Sequence, residues 1–235
     1  MTAAVVGSVV VLQRFPAKSM GGESLSSVEV GADGLIGDRE WAVYGADGKL
    51  ASGKHTRRFR RMDRVFQLTA SREGDETLVT LPGRPAVLAG SSEADGFLSD
   101  HFGEPVALRR ETSVPHQDAA ALSLVGTATL TALGAYEGDG RALDPRHLRT
   151  NVVVETDEPY LEESWLGRDV VIGPVRLRPT EPTERCRMVG VAQVGLPARR
   201  DLLRAISDHH HLLAGVYADV VRPGTVRLGD TVTVA

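Results

Sequence analysis

The chain has one cysteine in 235 residues, Cys186. That scarcity excludes an internal disulfide, suits a reducing cytoplasm, and leaves no CxxC pair from which to build a zinc site. Lysine is nearly as rare: Lys18, Lys49 and Lys54 stand against 24 arginines. A lysine inside a motif therefore stands out, since it offers a compact point charge where arginine offers a planar fork. Positive charge is not in surplus either. A net charge of −4 and a pI near 6.0 argue against a broad nucleic-acid footprint. No apolar run approaches the roughly 18 residues a membrane helix needs, so no membrane partner is expected. The opening MTAAVVGSVVVLQRF has no basic stretch before its apolar residues and no small-residue cleavage pattern, and reads as a first strand. The Ser-His-Asp order, the G-x-S-x-G elbow and the H-E-x-x-H motif are all missing.

What the sequence does hold is a succession of short β-like runs. WAVYGADGKLA has the form of a hairpin around Ala46-Asp47-Gly48, and VFQLTASREGDETLVTL repeats it around Glu73-Gly74-Asp75. Helical spacing shows in GFLSDHFG (96–103), in LVGTATLTALGAY (124–136) and in ARRDLLRAISDHH (198–210), where Leu202, Leu203 and Ile206 share a face. TNVVVET, VVIGPVRLRP and TVRLGDTVTV return to strand. Many short strands with few helices predict a mainly β fold, barrel-like, with helical decorations. A composition shift near residues 88–96 marks the expected junction between a unit of residues 1–90 and one of residues 91–235.

Five clusters could carry chemistry. FPAKSMGGES (15–24) brings Lys18 and Ser19 together as anion donors, with Gly21-Gly22 to let backbone approach; alone it also reads as an ordinary turn. In GLIGDREW (34–41) Asp38 can order a glycine turn, while Arg39 either pairs with it or points into a cleft. HTRRFRRMDR (55–64) reads as a solvated face, or as a basic rim with Phe59 and Met62 buried between. RHLRTN (146–151) sets Arg149 and Asn151 on one side of a strand start, a fork beside a donor–acceptor amide. PTERCRMVGV (182–191) holds Cys186, either an inert core thiol or a soft metal ligand; on a strand Arg185 and Arg187 would face away from it. Consecutive His209, His210 and His211 diverge too far to chelate one ion and are assigned to surface or packing. Glu162-Glu163 reads as a solvent-facing pair.

In this order the motifs RFPAKS (14–19), GLIGDREW (34–41), RTN (149–151), PTERC (182–186) and PGTVRLGD (223–230) resemble the MOSC family, named for the C-terminal domain of molybdenum-cofactor sulfurase. The likeness is to its longer branch, which carries an extra N-terminal β-barrel and includes the mitochondrial amidoxime-reducing components. The resemblance implies a β-barrel MOSC core with the N-terminal β-barrel unit packed on it. It implies a molybdenum cofactor (molybdopterin), not pyridoxal phosphate, with phosphate meeting Lys18 and Ser19. Arg39, Arg149 and Asn151 would complete the cradle, and Cys186 would be both the catalytic residue and the metal ligand. The activity implied is reduction of N-hydroxylated small molecules by oxygen-atom transfer, fed by a separate electron-transfer protein.

The sequence also departs from that branch, which commonly reads S-R-C followed by T-T-V-D-P. Here Glu184 replaces the small hydroxyl residue, and Val189, Gly190 and Ala192 replace the threonines and aspartate. A carboxylate beside an anionic cofactor is unfavourable unless protonated or paired, for instance with an arginine. These changes keep two alternatives open: a sulfur or cofactor carrier using a Cys186 persulfide or thiolate, and a MOSC-like enzyme tailoring metabolites without molybdenum.

Overall fold

A computed structural model describes residues 3–112, 115–136, 138 and 140–235. Its centre is a closed seven-stranded barrel. In spatial order the strands are Val152–Val154, Leu122–Gly126, Leu213–Arg222, Val175–Glu184, Val170–Ile172, Thr231–Val234 and Ala4–Arg14, which pairs back onto Val152–Val154. The opening apolar run is thus the staple of a barrel made otherwise from residues beyond 120. Its register shifts between Val5 and Gly7 and between Val9 and Val11, bends that let one strand meet two neighbours around a closed sheet. Inward residues such as Leu12, Leu124, Val170, Ile172, Leu177 and Val216 are almost wholly buried, as the period of two demands.

Leu124 to Gly126, expected to be helical, continue a strand; the helix begins at Thr127. Parallel pairing of Leu124–Gly126 with Val152–Val154 buries these residues on both faces, and a two-sided apolar run cannot be told from a helix by spacing. The helix Thr127–Tyr136 then crosses to the parallel neighbour and packs with the helix Leu202–His210 over one side of the barrel.

The remaining strands form smaller sheets. Trp41–Gly45 and Leu50–Ser52 make the expected hairpin, extended by Phe59–Arg61 and Val106–Arg110. Thr69–Glu73 and Glu76–Thr80 make the second hairpin. These elements and the helix Ser92–Phe102 share one core that includes Phe66, Leu68, Leu98 and Leu108.

Two local readings need correction. Neither Gly21 nor Gly22 lines the cavity that holds Lys18 and Ser19; a Cβ on Gly22 would lie 2.2 Å from the Arg14 carbonyl oxygen, so this glycine serves close contact with the first strand. Glu162 is not at the surface but fully buried, accepting from the Thr129 hydroxyl at 3.0 Å. Burial raises its pKa, because a low-dielectric setting disfavours the charged carboxylate. Its neighbour Glu163 accepts from His210 Nε2 at 2.8 Å. His209 and His210 stack on Tyr136 and Tyr160, the packing role expected of the histidine run.

Candidate active site

Six residues selected from the sequence, Lys18, Ser19, Arg39, Arg149, Asn151 and Cys186, line one cavity of about 850 Å³, counted out to bulk solvent. It lies at the seam where segments 18–19, 38–39 and 52–54 meet barrel segments 120–123, 147–151 and 184–189.

The backbone at this seam is unusual. Six non-glycine residues have positive φ among those described, and three of them are Ser19 (67°), Arg39 (54°) and Arg149 (53°). Each such residue costs on the order of 1 to 3 kcal/mol and persists only where surrounding structure holds it. Here the holding groups can be named. The Arg39 amide donates to the Phe15 carbonyl at 2.8 Å, Arg39 Nη2 donates to the Arg149 carbonyl at 2.9 Å, and Arg149 Nη1 donates to the Met20 carbonyl at 2.5 Å. Both guanidinium groups stand over the Phe15 ring, at 4.7 and 4.3 Å from its centroid, a cation–π arrangement.

Asp38 ties the cradle together. Its Oδ1 accepts from the Phe15 amide at 2.7 Å, its Oδ2 accepts from Asn151 Nδ2 at 3.1 Å, and it pairs with Arg39. Arg39 therefore both pairs with Asp38 and reaches the cavity, joining the two roles its sequence left open. Asn151 Oδ1 in turn accepts from the Ser123 amide at 3.2 Å.

Arg149 is left with a surplus. Its Nη2 is buried with no hydrogen-bond partner, and burial lowers its pKa to about 9. A buried unpaired guanidinium nitrogen is expensive unless a ligand satisfies it.

Lys18 is 5% exposed; its Nζ donates to the His116 carbonyl at 2.6 Å and to Asp118 Oδ1 at 3.1 Å. Desolvation lowers its pKa to about 8, against the partial support of Asp118. Asp118 also lies 3.6 Å from Lys54 Nζ, and despite its own desolvation these lysines hold its pKa at about 2. Neither Asp118 nor Lys54 stood out in the sequence, since nothing in QDAAAL or SGKHT signals that they meet. His116 is held neutral by burial, with a pKa near 4. Its Nδ1–H donates to the Arg39 carbonyl at 3.1 Å, leaving Nε2 to accept from the Tyr44 hydroxyl at 2.9 Å. The segment 115–118 is thereby pinned over Lys18.

Cys186 stands half-buried beyond the end of the strand Val175–Glu184, just before a short turn at Arg187–Gly190. The flanking arginines are held by other partners, although Arg185 lines the same cavity as Cys186. Arg185 donates to the Ala214 and Leu148 carbonyls at 2.8 Å each through Nε and Nη1. Arg187 donates to the Gly53 carbonyl at 2.7 Å and pairs with Asp63. Of the departures, Val189 is buried in the helical core, and its carbonyl accepts from His147 Nδ1 at 2.9 Å. Ala192 is exposed. Glu184 lines the cavity with no arginine paired to it among the described residues. The arginine run at 57–64 contributes no residue to this cavity: Arg60 pairs with Glu104 and Arg61 with Asp63.

A closed barrel joined to further small β-sheets thus brings cations and one thiol together along one cavity. The chain belongs to the MOSC domain family, whose model matches residues 101–233; that of the MOSC N-terminal beta barrel domain matches residues 6–96. It is 24% identical to mitochondrial amidoxime-reducing component 1 of Mus musculus, over 97% of this chain and 82% of that one. It is 23% identical to molybdenum cofactor sulfurase of Danio rerio, over 83% of this chain but 29% of that one. Among solved structures, the YUAD protein from Bacillus subtilis shares the fold, with a TM-score of 0.55, 18% identity, and coverage of 100% of this chain and 96% of that one. No described helix is long and apolar enough to cross a membrane.

Proposed function

We propose that this chain is a molybdenum-cofactor-binding oxidoreductase that reduces N-hydroxylated small molecules, working in the cytoplasm with electrons from a separate redox protein. The observation that carries the reading is the convergence, in one cavity, of Cys186 with Lys18, Arg39 and a buried, unpartnered Arg149 nitrogen. That donor set fits an anionic pterin: strong donors for phosphate at one end and one soft sulfur at the other. The similarity to an amidoxime-reducing component and to a cofactor sulfurase points the same way.

When bound, the cofactor would supply two-electron oxygen-atom abstraction from nitrogen, the net change being N–O cleavage with two electrons and two protons in and water out. The chain's residues hold and orient. Lys18, Ser19 and Arg149 would take the phosphate; Arg39 and Asn151, fixed by Asp38, would complete the cradle. Cys186 would ligate the metal. Asp118 now sits on Lys18 and Lys54, so an arriving phosphate competes with it for those cations.

The test is metal and pterin content of purified protein from a host that makes the cofactor, wild type beside Cys186→Ser. Molybdenum and pterin near one per chain, with at least a tenfold loss of metal in the variant, are expected. Absence of both from the wild type overturns the reading. The half-buried, reachable thiol and the Glu184 departure also support a carrier role; cyanide-labile sulfur on Cys186 without bound pterin would establish that reading in its place.

A further inference from the structure

His147 stands beside the cysteine turn. It is 2% exposed and lines the same cavity as Cys186. It closes the short turn Pro145–His147, which Asp144 caps by accepting from the Arg146 amide at 2.9 Å. Its Nδ1 lies 2.9 Å from the Val189 carbonyl, and the Val189 amide donates to the Cys186 carbonyl at 3.1 Å. One turn therefore fixes both the imidazole ring and the residue that carries the thiol.

A carbonyl oxygen only accepts, so Nδ1 carries a proton whether the ring is neutral or charged. Nε2 has no hydrogen-bond partner among the described residues. It is a lone pair on the neutral ring and an N–H donor on the charged one. The charges around it are Asp144 and Arg146 on its own turn and Arg199 from the segment after the cysteine turn. Arg149, Glu184 and Arg185 line the rest of the cavity. Burial above all, with Arg199 and Arg146, lowers its pKa below the ordinary 6.5, against the Val189 carbonyl and Asp144. Other lining groups suit proton transfer less: Asp118 is held at about 2, and burial raises Tyr217. No second imidazole lines the cavity among the described residues.

We infer that His147 is the proton donor of this cavity, passing its Nε2 proton to the substrate nitrogen as the bond from that nitrogen to oxygen breaks. The inference rests on the reductase reading. Cleaving N–OH with two electrons from the separate redox protein takes up two protons. One completes the new N–H bond and the other turns the hydroxyl into water. His147 gives the first and is recharged by solvent, which also gives the second. The Val189 carbonyl keeps the ring oriented through both charge states.

The test compares wild type with His147→Asn, whose side-chain amide can still donate to the Val189 carbonyl but has nothing at the Nε2 position. Nitrogen NMR of histidine-labelled, ligand-free wild type should place the proton of neutral His147 on Nδ1; a proton on Nε2 instead overturns the inference. Molybdenum and pterin content should match in the two proteins, and loss of either from His147→Asn assigns the ring to the cofactor and overturns the inference. With cofactor-loaded protein and an N-hydroxylated amidine, kcat should fall about a hundredfold in His147→Asn, the lower range for a general acid, with KM little changed. Wild-type kcat should rise as pH falls through 6.5 and below; in His147→Asn that rise should vanish, and in His147→Ala added imidazole should restore part of it. Equal kcat and equal pH profiles in wild type and His147→Asn overturn the inference and leave the reductase standing. No reduction by loaded wild type overturns both.

Discussion

The barrel interior and the seam beside it are built by opposite rules. Inside the barrel, Leu12, Leu124, Ile172, Leu177 and Val216 are buried and apolar, and the strands pair around a closed ring. At the seam, three charged or hydroxyl-bearing residues sit at positive φ, a guanidinium nitrogen goes unpaired, and a buried lysine has its pKa lowered to about 8. The barrel accumulates favourable burial. The seam retains strain and unsatisfied charge, and nothing in folding alone rewards either. That contrast marks the seam as the candidate site without reference to any relative.

The largest effect should come from breaking the barrel while sparing the seam. Leu177→Ala removes a buried side chain from the barrel interior, near the end of the strand Val175–Glu184 that lies away from the cavity-lining Glu184, and should cost about 3 kcal/mol of stability. Chemical denaturation reads this directly, and sulfate affinity at 20 °C should stay within twofold of wild type. A large loss of sulfate binding from folded Leu177→Ala would show that the two regions are not separable.

The reverse experiment acts on the seam. Asp118 occupies Lys18 and Lys54 in the absence of ligand, so Asp118→Asn should free them. Sulfate affinity at pH 6, where Lys18 is charged, should rise about fivefold, the size of one partly exposed ion pair. Unchanged or weaker affinity would mean that Asp118 orders the site instead of competing for it.

Legibility in the sequence followed the same divide. Both hairpins were readable because alternation and turn residues act locally: Gly48 and Gly74 close the two turns at positive φ. The cradle residues were readable because motif order preserves what separate segments contribute. Pairings across long sequence gaps were hidden. Asp118 lies 100 residues from Lys18, and no local pattern couples them. Glu162 looked like surface because its partner Thr129 stands 33 residues earlier on a helix. Gly22 looked like an anion-binding glycine because its neighbour, the Arg14 carbonyl, is a backbone atom that spacing does not reveal. Glu184 was legible as a departure, but that it stays unpaired is visible only once every nearby cation has its partner.

The smallest effect sharpens the seam's electrostatics. Burial lowers Lys18 from 10.5 to about 8, so its charged form is less favoured folded than unfolded. Its contribution to the stability of ligand-free protein therefore grows as pH rises from about 8 towards 10.5. Sulfate, a dianion throughout this range, needs the charged form, so its affinity should move in the opposite direction. Between pH 7 and 8.5 the affinity should fall about threefold as Lys18 gives up its proton. In Asp118→Asn the carboxylate that supports the charged lysine is gone, so the same fall should be displaced to lower pH. Lys18→Arg, whose guanidinium stays charged across this range, should flatten it. A pH profile that is identical in wild type and Lys18→Arg would assign the anion to Arg39 and Arg149 alone.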